Sequence, residues 1–147
     1  MNDKSDSALK KAMEALDRSN KAKDDAVNML TMIINARKVA LGKLDLIRKP
    51  ATSEADALEA AKMASEKGKE AGDAYNKLET AANTAKKEAE VARTAAGELP
   101  QANNIIAQVA DAEDAAEQAV QDAKPLVQQA EHAAKLATNL AHPKKPA

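Results

Sequence analysis

Cysteine, tryptophan and phenylalanine are absent from this 147-residue chain, and tyrosine occurs once. Without cysteine, the usual disulfide argument about compartment has nothing to work on. Four glycines, one aromatic and few β-branched residues leave a sheet without its building material. No apolar run approaches the ~18–20 residues that a membrane-spanning helix needs. The N-terminus, MNDKSDSALKK, is polar and does not read as a secretory signal. Neither sign of charge dominates: 22 basic and 23 acidic residues give a net charge of −1. A nucleic-acid partner would want a basic face, with aromatic stacking if single-stranded, and neither is present.

What the chain does have is alanine, 36 residues of it, the best intrinsic helix former. Leu, Ile and Val add only 23 residues, which would suggest disorder if net charge were also high. It is not, and the apolar positions are patterned. From Ala57 to Leu99, alternating steps of four and three land on Ala57, Ala61, Ala64, Gly68, Ala71, Tyr75, Leu78, Ala82, Ala85, Ala89, Ala92, Ala96 and Leu99. No position on this path is charged, as expected for the seam of a long packed helix whose partners come close.

Two breaks divide the chain. Pro50 disfavours helix at Lys49, and Thr52 or Ser53 can cap the second helix. Gly97 suits the left-handed residue after a helix, and Pro100 a first-turn position. The first segment offers a seam at Leu9, Met13, Leu16, Asn20, Lys23, Val27, Leu30, Ile34, Arg37, Leu41 and Leu44, widened by Ala26, Ile33, Ala40 and Ile47. The third offers Ala102, Ile105, Val109, Ala112, Ala116, Ala119, Ala123, Leu126, Ala130, Ala133, Ala137 and Leu140, widened by Ile106, Val120 and Val127. Short connections make sequential helices antiparallel. The chain therefore reads as all-α: an elongated antiparallel three-helix bundle over 1–142. Its helices, of about 40–45 residues or roughly 65 Å each, cover about 5–48, 53–97 and 100–141. A flexible tail is expected over 143–147. Folding the first hairpin about residues 50–51 sets residue i beside about 101 − i, and the second sets i beside about 197 − i.

That register groups Gly68, Gly72, Tyr75 and Pro125 as a candidate cleft, since Pro125 favours a kink in the third helix and Gly72 leaves room for it. Close packing of the helices is the competing account. Tyr75 is expected to bury its ring and bring its hydroxyl to the bundle edge or a polar partner. Glu98, Gln101, Asn103 and Asn104 form a candidate recognition surface at the bundle tip. Asn20, Lys23 and Arg37 on the first seam either fix register or reach outward on their long stems. Catalytic and metal sites find no constellation. The histidines are His132 and His142, and the residue three before His132 is Gln129 rather than the Glu of a di-iron motif. The glycines are scattered, so there is no phosphate loop. No enzyme and no cofactor are expected.

The segment ETAANTAKKEAEVARTAAGE, with the absence of Cys, Trp and Phe, resembles the alanine-rich surface antigens of trypanosomes, especially those of insect stages. The resemblance implies a cysteine-free helical-bundle ectodomain packed as a coat on the parasite's cell surface. It would be lipid-anchored beyond its C-terminus, without inserting into the membrane itself. The signal and anchor segments would then have been trimmed from this chain. The resemblance also implies a structural, display or host-interaction role, with a host or neighbouring surface protein as partner and the protein itself a monomer. The alternatives are a late-embryogenesis-abundant-like protective protein, which tends to an 11-residue repeat, and a cytoplasmic helical scaffold or adaptor.

Overall fold

A computed structural model describes residues 3–141. Three α-helices account for nearly all of them: α1 (Asp3–Arg48), α2 (Glu54–Ala96) and α3 (Asn103–Ala141). They pack against one another as an all-α three-helix bundle, with no strand among the described residues. The expected tail at 143–147 lies outside the described residues.

The connections are set by local chemistry. After α1, the Thr52 hydroxyl donates at 2.6 Å to the Leu46 carbonyl, which also accepts the Lys49 amide at 3.2 Å, and so closes the helix end. Ser53 then caps α2, its Oγ accepting the Asp56 amide at 3.1 Å. Gly97 adopts φ +54°, the left-handed conformation that ends α2. The next residues differ from the expected start of the third helix. Pro100–Ala102 is a turn of 3-10 helix, and α3 begins at Asn103.

The described residues fall into two compact units, one within Met1–Asn28 and Lys77–Gln121, the other within Met29–Asn76 and Asp122–Ala147. In the first, Ala15, Ala89, Ala92 and Val109 form one buried cluster and Ala12, Ala96 and Ala102 another. Leu9, Leu16, Leu99, Ile105 and Ile106 close over them from the sides. In the second, Ala40, Leu44, Ala61, Ala64, Ala133, Ala137 and Ala141 are buried together, flanked by Leu41, Ile47 and Leu136.

The α2 seam lies where its spacing puts it: ten of its thirteen positions are buried, and Ala57, Tyr75 and Leu99 are half-buried. The α1 seam is displaced by one residue. Its buried positions are Ala12, Ala15, Ser19, Ala22, Ala26, Ile33, Ala36, Ala40 and Leu44, while Met13, Val27 and Ile34 are 52%, 44% and 46% exposed. Three helices that all present methyls to one another come too close for bulky chains along the centre line, so the aliphatics of α1 turn to the flanks. The same rule corrects the end of α3, where Ala141 is buried and Leu140 is 48% exposed.

The hairpin register also shifts by close to one turn. Ser19 sits against Ala85, where the simple fold about residues 50–51 places residue 82 (101 − 19). Ser19 is the one buried polar residue among those described, and its hydroxyl donates to the Ala85 carbonyl at 3.3 Å.

Candidate functional site

The groove beside Gly68 does not take in the other three residues of the candidate cleft. Gly68 is buried where α2 meets α3: a methyl there would lie 2.9 Å from the Ala134 Cβ and 3.5 Å from the Ala130 carbonyl oxygen. Contact that tight is possible only for glycine. Gly72, one turn on, is half-buried, and a Cβ there would meet only the Glu131 carboxylate, at 3.9 Å. A shallow surface groove of about 340 Å³ beside Gly68 is lined by Lys69, Glu131 and Lys135 among others, but not by Gly72, Tyr75 or Pro125. Pro125 is exposed within α3.

Tyr75 is partly buried on α2, beside the buried Ala74.

The tip residues stand as a group. Glu98, Gln101, Asn103 and Asn104 are all exposed around the short 3-10 turn. Below them Leu99 packs on the Ala12, Ala96 and Ala102 cluster and holds the turn to the core. The amides of Gly97, Leu99 and Ala102 donate hydrogen bonds to the carbonyls of Arg93, Ala96 and Leu99 and tie its backbone together. The tip is therefore a rigid, polar, solvent-facing surface.

The half-buried polar residues on the aliphatic stripe of α1 sit at its edges. The Arg37 guanidinium donates to the Gln129 side chain on α3, and Lys23 approaches Asp24 at 4.0 Å. Two interhelical ion pairs escaped the sequence reading: Arg18 with Glu88 at 2.6 Å and Arg93 with Glu113 at 2.9 Å. Periodicity alone suggests that Glu14 supports Arg18 within α1; the closer approach of α2 draws the guanidinium across instead. Among the described residues, no three His, Cys, Asp or Glu side chains are grouped to hold a metal ion, and no helix is long and apolar enough to cross a membrane. His132 is exposed on α3, and His142 lies outside the described residues.

No protein-family model, curated protein or solved structure matches this chain.

Proposed function

We propose that this chain is a non-enzymatic helical-bundle protein of the cell surface, a coat or antigen that offers its exterior to host or neighbouring surface proteins. The observation that carries this reading is the division of labour between inside and outside. Over residues 4–141 the buried positions are alanine with a few aliphatics and Gly68, Ser19 is their single polar member, and every Lys, Arg, Asp and Glu stays at least partly exposed. Binding chemistry thus resides on the surface, above a framework whose small side chains keep the helices close. The rigid polar tip at Glu98, Gln101, Asn103 and Asn104 is a suitable face for recognition. The compositional resemblance to alanine-rich coat antigens supports the same role.

The test is antibody staining of intact, unpermeabilised cells that express the protein, using serum raised against the tip. Surface labelling is expected, together with loss of signal when the cells are treated with external protease. Label that appears only after permeabilisation, with a cytosolic distribution, overturns the proposal.

A further inference from the structure

In the second unit, α1 and α3 share an apolar outer seam. The Arg37 guanidinium reaches the Gln129 side chain there, which marks where the two helices meet. Ile34 stands three residues before Arg37 and Leu41 four after it, so both follow one stripe of α1. On α3, Leu136 lies seven residues beyond Gln129 and Leu140 four further, again on one stripe. Leu41 and Leu136 pack half-buried against the cluster of Ala40, Leu44 and Ala133, whereas Ile34 and Leu140 are large aliphatics left exposed.

Beside this seam, the outer rim of α1 carries Lys38, Gly42 and Asp45, all exposed. No acid stands three or four residues from Lys38 along the helix, and neither Lys38 nor Asp45 enters any of the described ion pairs. Gly42 lies inside α1, and a Cβ there would meet nothing within 4 Å. It weakens the helix without serving a contact inside the chain. A second copy running antiparallel accounts for all three residues. With a two-fold axis level with Ala40, residue i faces about residue 80 − i of the partner, so Lys38 lies opposite the partner's Gly42. Helical side chains lean toward their own N-terminus, and in an antiparallel pair that carries the Lys38 ammonium toward the partner's Asp45. The glycine leaves the space that the lysine stem crosses, and symmetry repeats the arrangement.

We propose that this α1–α3 face pairs antiparallel with the same face of a second copy of the chain, burying Ile34, Leu41, Leu136 and Leu140 between the copies and joining Lys38 to Asp45 in two reciprocal ion pairs. The aliphatic side chains supply the affinity. The charges fix direction and register, because each end of the rim meets its opposite only when the copies run antiparallel. A contact of a few turns lies near the ~1,200 Å² lower limit of stable interfaces. The dimer is therefore reversible, and the chain is a monomer when dilute. The pairing does not depend on where the protein resides, so it stands or falls separately from the surface role.

Analytical ultracentrifugation of the full chain from about 5 μM to about 1 mM tests the pairing. The weight-average mass is expected to rise with concentration and level off at the dimer. Lys38→Asp alone and Asp45→Lys alone each set like charges opposite one another and weaken the dimer by about tenfold or more. An equimolar mixture of these two variants associates again, because each carries the sign that the other needs at both pairs. Gly42→Leu separates the contact from the fold: it raises the melting temperature of the dilute chain through helix propensity, yet weakens association by filling the lysine's path. A monomer at every concentration, single charge variants that associate as well as the unaltered chain, or a mixture no stronger than its components overturns the proposal. So does a chain that stays monomeric while an added amphipathic helical peptide shifts the methyl NMR signals of Ile34 and Leu140.

Discussion

α1 and α2 share the same 3-4 spacing but bury it differently. In α2 the unbroken path from Ala57 to Leu99 is the one that faces its neighbours. In α1 the conspicuous aliphatic path is left at the rim, and the path one residue earlier, mostly alanine and serine, goes inside. A fully buried Leu or Ile is worth ~1.5–3 kcal/mol, against about 0.8 for an alanine methyl, so hydrophobicity alone favours the wrong path. Fit decides. Alanine seams on α2 and α3 set a close spacing, and only small residues on α1 can meet it along most of its length. Ile33 is the informative exception. Ala40 and Ala64 share a cluster, so stepping seven residues along each helix places Ile33 level with Ala71, between Gly68 and Gly72. Both glycines of α2 fall in that stretch.

Adjacent isoleucines give the largest expected contrast. Ile33 is fully buried and Ile34 is 46% exposed. Ile33→Ala should cost roughly 2–5 kcal/mol and Ile34→Ala less than about 1 kcal/mol, read from urea midpoints at constant m-value. Equal losses would break the one-residue displacement of the α1 seam. A second contrast adds volume instead of removing it. Ala15→Leu inserts bulk at a fully buried position and should destabilise by about 1–3 kcal/mol. Met13→Leu, at a site 52% exposed, should stay within about 0.5 kcal/mol. If Ala15→Leu were stabilising, the seam would be underfilled and the size argument would fail.

The smallest effects come from α2 itself. Gly68→Ala gains about 1 kcal/mol of helix propensity but drives a methyl to 2.9 Å from Ala134 Cβ, and overpacking of ~1–3 kcal/mol should prevail. Gly72→Ala meets nothing nearer than 3.9 Å and should gain up to about 1 kcal/mol. Thermal melts of the two variants moving in opposite directions would locate the point of tightest approach. Movement in the same direction would remove it.

Much of the fold was legible because its signals are local. Pro50, Ser53 and Gly97 mark helix ends within a residue or two, through capping and dihedral preferences that neighbours do not change, and Pro100 opens the 3-10 turn that leads into α3. The α2 and α3 seams were legible because each offers one uncharged path. α1 offers one as well, through Ala12, Ala15, Ser19, Ala22, Ala26, Met29, Ile33, Ala36 and Ala40, but the more aliphatic path beside it, which carries Lys23 and Arg37, drew the reading. Ala26, Ile33 and Ala40 entered the reading only as flanking positions, and Ala12, Ala15, Ala22 and Ala36 were the remaining signal. Within the candidate cleft, Gly68 serves close contact with α3. The exposure of the tip residues was readable, since a polar segment after a left-handed glycine has few other places to go, whereas the 3-10 turn at Pro100–Ala102 was not.

The alanine interior also determines how the chain can change by mutation. At a buried leucine or isoleucine, several aliphatic replacements of similar size remain open. At Ala85, Ala89 or Ala92, each fully enclosed, the only smaller residue is glycine, which weakens the helix by about 1 kcal/mol, and larger ones collide. The permissible alphabet inside is nearly a single letter, while the outer faces tolerate many. Drift or selection acting on this chain therefore has a fixed scaffold beneath it and a freely rewritable exterior.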